Sequence, residues 1–291
     1  MADLVSSLIS VAFHGVAYGM ILYVISVGLS VTMGLMNFVN LAHGVFAMAG
    51  GLVLSTTTTR LGAPFPLGLI LAFSVVALVS VALERGLYSR LYKSGELPQV
   101  LFTMGLIFVS IALARLAYGT LTVPIPLPDY MRGQVLILGR PFPTYKVFII
   151  IFGTFILTTL WFGVEKTRFG AMVRAAVDNR AMAQSVGINT QRLFMLTFAL
   201  GSGLAGLGGA LGADLLPIQW GYPLEHLVYF MIVVAVGGLG SLIGPFVAAI
   251  LIGLADTACK YWIPEFGAFF VYAATIAVLL WRPQGLFGVR A

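Results

Sequence analysis

The chain has 291 residues, of which 60% are hydrophobic and 9% charged, with a net charge of +6. A soluble domain carries about a quarter charged residues, so this much apolar surface excludes an ordinary water-soluble fold. The basic residues lie scattered between apolar runs and not in one polar domain, which speaks against nucleic acid as a partner and for the basic bias of cytoplasmic membrane loops.

One spanning helix takes about 20 apolar residues, so the expected fold class is all-α, a polytopic transmembrane helical bundle of about eight spans. It would fill residues 1–291 as a single transmembrane domain. In chain order, the run 8–34 has no basic leader and no small-residue cleavage signature, and reads as a retained span. Runs 67–87, 98–118, 148–164 and 193–215 are also of spanning length. Segments 43–59, 227–236, 243–257 and 269–281 are shorter, and several open at Gly or Pro, as spans broken near the midplane do.

Basic residues gather at Arg85, Arg90 and Lys93, at Lys166, Arg168, Arg174 and Arg180, and at Arg282 and Arg290. These loops are assigned to the cytoplasm, which puts the C-terminus inside and leaves the side of the N-terminus open. Loops 119–143 and 216–225 then fall outside, with the proline-rich stretch 123–128 as an extended crossing. Trp161, Trp220, Trp262 and Trp281 fall near span ends, where an amphipathic indole sits at headgroup level. Arg115 lies about one turn from an outer helix end and is expected to snorkel.

Catalysis has no residues here. His14, His43 and His226 lie far apart with no metal-ligand spacing, Cys259 is the lone cysteine, and Asp256 is the acidic residue within a short apolar run. The expectation is therefore a chain that is not an enzyme, with no catalytic residue, metal site or cofactor of its own. A phosphate loop is absent as well, so any ATP and Mg would bind partner ATPase subunits.

Polar residues interrupt the apolar sequence at two places. The first holds Asn37, Asn40 and His43 before Gly44, and these either cap and join helix ends or line a solute pathway. The second runs from Val236 to Pro245 and contains Gly238, Gly240 and Ser241. The two loosely echo each other, with chance likeness between Gly/Ala-rich helices as the plainer account. Half-helices that begin at such breaks aim unpaired N–H groups at one place, which suits the carboxylate of an amino acid. Gly201, Gly203, Gly206, Gly208, Gly209 and Gly212 invite close helix packing.

The segment 165–190 is charged and amphipathic. Met172, Ala176, Met182 and Val186 fit one side of a short helical pair, with Asp178 or Asn179 available as a cap. Such a pair either lies on lipid headgroups or docks on a soluble partner.

Three motifs together resemble the LivH-type permeases of branched-chain amino acid ABC importers. They are the stretch 37–44, the stretch 168–190 that opens Arg-Phe-Gly-Ala-Met-Val-Arg, and the Gly-Gly-Leu-Gly-Ser-Leu-Ile-Gly-Pro of 237–245. The resemblance implies a bacterial inner-membrane permease subunit that moves branched-chain or related small amino acids. Its implied partners are a second homologous permease, two cytoplasmic ATPase subunits, a periplasmic solute-binding protein and membrane lipid. It makes 165–190 the coupling loop, with Arg168, Arg174, Ala175, Ala176, Asp178, Asn179 and Gly187 as the ATPase contact. The pathway residues are then Asn37, Asn40, His43, Gly44, Gly238, Gly240 and Ser241. Related permeases extend the alternatives to urea, short amides and small carboxylates, and the rivals from other classes are a membrane-embedded enzyme and, second, a passive solute channel.

Overall fold

The computed structural model describes residues 2–36, 38–92, 94–137 and 139–288. Asn37, Lys93 and Arg290, named above, lie outside them. A long helix α1 (Ala2–Met36) leads through the break to the short α2 (His43–Ser55). At the end of α2 the run Thr56–Arg60 widens into a π-turn. Its threonine hydroxyls bond back to carbonyls three or four residues earlier, among them Thr56 to Leu52 at 2.8 Å and Thr58 to Leu54 at 2.8 Å, which loosens the α-helical ladder.

The next span, α3 (Phe65–Leu83), continues through a second π-turn, Glu84–Tyr88, into the single turn α4 (Ser89–Leu91). Then come α5 (Glu96–Tyr118) and a small antiparallel hairpin, β1 (Gln134–Ile137) with β2 (Arg140–Pro143), in which Val135 faces Phe142. The expected outer loop 119–143 thus carries strands that its sequence did not announce. After α6 (Thr144–Lys166) follow the short helices α7 (Arg168–Asp178) and α8 (Arg180–Ser185), then α9 (Thr190–Gly212), α10 (Tyr222–Gly237), α11 (Ile243–Trp262) and α12 (Gly267–Trp281).

Six helices among the described residues are long and apolar enough to cross a membrane, and Tyr222–Gly237 and Phe269–Trp281 are shorter apolar helices. The five long runs read from the sequence are helical, except that α9 ends at Gly212 and 213–215 turn away. The segment 243–257, expected to be short, is instead a 20-residue helix. Its polar last turns survive because Lys260 reaches back one turn to Asp256, 2.7 Å away.

Bilayer lipid gives helices no hydrophobic reason to associate, so close approach and polar contacts must hold the bundle. The glycines supply that approach. Gly28 of α1 meets the backbone of Gly201 in α9, Gly50 of α2 meets Gly206, and Gly209 meets Ala47. Gly203 lies under Phe73 of α3. Helix α9 is therefore the hub on which α1, α2 and α3 pack, as its small residues predict. The pair Gly15 and Gly19 of α1 seats α11 at Leu254 and Ile250 in the same way.

The contacts also sort the loops into two ends. One end joins Tyr88 to Phe198 and Tyr92 to Phe194 through ring contacts, with the Arg180 guanidinium over Phe194, and carries Arg85, Arg90, Lys166, Arg168, Arg174, Arg192 and Arg282. The opposite end joins Ser7 to Tyr261, Phe13 to Phe142, and Val123 to Ile218, so the start of α1 shares this end with the hairpin. Here the stretch 123–128 is irregular, as expected, and passes the C-terminal end of α2, where Ser55 donates to the Pro124 carbonyl. Arg115 does not simply extend into solvent, because its guanidinium lies 5.0 Å above the Trp220 ring.

Candidate functional site: two helix breaks on one helix, and a capped loop

Each broken segment is anchored on α1. The His43 Nε2–H donates to the Ile25 carbonyl at 2.8 Å, and His43 is fully buried. Five residues further along, the Ser30 carbonyl accepts from the Gly240 N–H at 3.1 Å, while the Ser30 hydroxyl faces the Gly238 and Ser241 carbonyls at 3.3 and 3.0 Å. Five residues of helix rise about 7.5 Å, so one stretch of α1 holds both breaks.

The second break needs glycine for two reasons. Gly238 and Gly240 have φ of 100° and 77°, in the region that side chains rarely adopt, and Gly240 packs directly on Gly34. Ser241 then accepts from the Gly244 N–H at 3.0 Å and covers one orphan donor of α11.

The first break is held by residues that sequence reasoning missed. Tyr88 donates to the Asn40 side-chain oxygen at 3.1 Å, and the Gln99 carboxamide oxygen accepts from the Val39 N–H at 3.1 Å. The Asn40 amide nitrogen is buried without a partner. Beneath them Glu84 is 1% exposed and accepts from Tyr92 at 2.6 Å. Burial and the Glu84 carboxylate hold the Tyr92 hydroxyl well above its ordinary range, so it stays a donor. The available signal was spacing, since Glu84, Tyr88 and Tyr92 recur every four residues on one helical face.

The two half-helices were expected to point their N-termini at one place. The start of α2 lies instead beside the start of α10, where a side chain on Gly44 would touch the Pro223 backbone. Gly44 and Gly240 are linked through α1 and through α10, which runs from Pro223 beside Gly44 to Gly237 at the second break.

At the basic end, three side-chain caps build the amphipathic loop. Thr167 accepts from the Gly170 N–H at 3.2 Å, Asn179 from the Met182 N–H at 2.9 Å, and Asn189 from the Arg192 N–H at 3.0 Å, starting α7, α8 and α9 in turn. Asn179, and not Asp178, is the middle cap. Arg174 donates to the Val164 carbonyl and ties α7 to the end of α6. Gly187, with φ of 88°, makes the turn into α9.

The expected phase of the apolar stripe does not hold. Gly170, Val173 and Ala176 face inward, because Gly170 sits against the Val164 backbone and fixes the roll of the helix. Met172, Met182 and Val186 face outward with Val177, and Met182 and Val186 are 63% and 70% exposed. Ala176 is buried and Ala175 half-buried, whereas Arg168, Arg174, Asp178, Asn179 and Gly187 are exposed. Beside the loop a polar notch is lined by Glu84, Arg85, Asn189, Gln191, Arg192 and Met195.

Among the described residues no group of three His, Cys, Asp or Glu is placed to hold a metal ion. The arrangement can transmit displacement. The loop is continuous with α6 and α9, α9 is the hub, and α1 joins the hub to both breaks.

A family model described as the branched-chain amino acid transport system permease component matches residues 11–279. The chain is 25% identical to the permease protein BraD of a high-affinity branched-chain amino acid transport system in Pseudomonas aeruginosa, over 94% of both chains. It is 25% identical to LivH of Escherichia coli, covering 95% of this chain and 94% of that protein. A probable LivH permease of Methanocaldococcus jannaschii is 26% identical over 94% of this chain and 90% of its own. No solved structure matches the chain.

Proposed function

Because the chain belongs to the family of branched-chain amino acid transport permease components, we propose that it carries branched-chain or closely related amino acids across the bacterial inner membrane. It is a multi-pass membrane permease subunit of an ABC importer and works with the other components of that system. The basic end is the cytoplasmic one, the C-terminus lies there, and the start of α1 lies outside.

The observation that carries the mechanism is the outward apolar face of the capped loop. Met172, Val177, Met182 and Val186 stand exposed at the charged end, rimmed by Arg168, Arg174 and Arg180. An apolar face of this kind fits a groove on a soluble partner, which we take to be a cytoplasmic ATPase, one for this chain and one for a second, homologous permease. ATP and Mg act on those partners. Closure of the ATPases pushes α7 and α8, α9 passes the movement to α1, and the breaks at Asn40–His43–Gly44 and Gly238–Gly240–Ser241 change their alignment. No residue of this chain does chemistry, and a periplasmic binding protein delivers the solute.

The test is mass spectrometry of the complex purified on this tagged chain in mild detergent, with ATPase activity assayed in the same sample. Two ATPase chains and a second permease support the reading. A homo-oligomer without ATPase that passes solute into proteoliposomes overturns it in favour of a channel.

A further inference from the structure

Asp256 is a buried charge to which the transport mechanism above gives no task. A carboxylate at membrane depth is expensive and marks a functional group more often than a structural one. Its side chain is 2% exposed and accepts from Lys260 Nζ at 2.7 Å, while the Lys260 side chain is 59% exposed. The Tyr229 hydroxyl donates to the same carboxylate at 3.5 Å.

One aromatic ring lies over the ammonium of this pair, and a tyrosine pair adjoins the carboxylate. Lys260 Nζ lies 5.8 Å from the centre of the Tyr18 ring, and the Tyr229 and Tyr272 rings are 6.4 Å apart. Thus α1, α10, α11 and α12 each contribute one tyrosine or the carboxylate. Along α10, Tyr222, His226 and Tyr229 follow at four and three residues, on one face. The Tyr222 hydroxyl and His226 Nε2 on that face are buried without a hydrogen-bond partner, and the two rings are 4.5 Å apart.

The geometry points to an ammonium-recognition pocket, built from Asp256, Tyr18, Tyr229 and Tyr272, that takes the α-amino group of an amino acid and is filled meanwhile by the protein's own Lys260. This rests on the transport reading above and names the chemistry that reading selects. A carboxylate beside an aromatic face and a tyrosine hydroxyl suits an ammonium ion, and Lys260 places one there. Exchange of one ammonium for another never leaves the buried carboxylate bare, which would be the costly state. The Lys260 side chain is 59% exposed and so is not enclosed at this position. Urea, an amide or a simple carboxylate carries no cation to exchange. The unpartnered Tyr222 hydroxyl and His226 nitrogen add polar atoms on the same helical face for the rest of the solute.

The experiment uses the detergent-solubilised complex carrying K260C in a Cys259→Ser background, with modification of this chain read by mass spectrometry. We expect cationic 2-aminoethyl methanethiosulfonate to react at least tenfold faster than the neutral methyl reagent, and D256N to abolish that preference. Millimolar L-leucine should slow the reaction, and its deaminated analogue 4-methylpentanoate should not. Should K260C not assemble, calorimetric titration of the wild-type complex with L-leucine and with 4-methylpentanoate reports the same discrimination. Equal reagent rates, or equal effects of leucine and 4-methylpentanoate, overturn the pocket and leave an ordinary ion pair. Uptake of radiolabelled leucine by the wild-type complex separates the two failures. Uptake without protection defeats the pocket alone, and protection without uptake defeats the branched-chain reading alone.

Discussion

The imidazole of His43 bonds the Ile25 carbonyl of a neighbouring helix at 2.8 Å, with no solvent contact. That bond fixes the start of α2 against α1, and five residues further on the same helix the Ser30 carbonyl fixes Gly240. His43→Ala should leave a cavity and remove a buried hydrogen bond, at a cost of about 1 to 3 kcal/mol. His43→Gln, which keeps a donor, should recover part of the uptake that His43→Ala loses. Uptake in vesicles and thermal stability of the purified complex check both, and an inert His43→Ala would remove the residue from the mechanism.

Gly206 and Gly209 touch the backbone of Gly50 and Ala47. Gly209→Leu should push α2 off the hub helix, with a cost beyond the roughly 1 to 3 kcal/mol of ordinary overpacking, because backbone has no rotamer to yield. The expected readout is loss of the monodisperse size-exclusion peak. A Cβ at Gly105 on α5 meets nothing within 4 Å, so Gly105→Leu should leave that peak unchanged.

Met182 and Val186 are outward apolar residues of the capped loop 165–190, which we propose docks on the ATPase. Met182→Glu together with Val186→Glu should abolish co-purification of the ATPase while the permease stays folded. Ala176→Arg should instead disorder the loop, since Ala176 is packed inside. Pull-down yield compared with limited proteolysis of the loop separates the two outcomes.

Asn179 and Asn189 cap successive helices of that loop. Replacing either with Ala should cost about 0.5 to 2 kcal/mol of local stability. The loop should then be cut faster by protease, and ATP hydrolysis should exceed uptake. Asn179→Ser, another good cap, should restore the ratio.

Ser30 serves three groups of the second break. Ser30→Ala removes its two hydroxyl contacts but keeps the carbonyl bond to Gly240, so the complex should assemble and transport at a lower maximal rate. Unchanged uptake in Ser30→Ala would show that the carbonyl alone holds the break.

The sequence by itself determined the five long spans, the small-residue packing face of α9 and the family motifs, and narrowed the middle cap of the loop to Asp178 or Asn179. Each is a local property, since apolar length, a cap three residues before an N–H and a run of small side chains need no distant partner. What it did not determine is which faces meet. Helices that are apolar all round carry no periodic signal of their packed side. The gathering of Tyr88 and Gln99 around Asn40, and of Tyr18, Tyr229 and Tyr272 around Asp256, was therefore invisible until the bundle was assembled. In α7 a stripe was legible but its phase was not, because Met172 and Ala176 both count as apolar. Contact between Gly170 and the Val164 backbone settled the roll, placing Ala176 inside and Met172 outside.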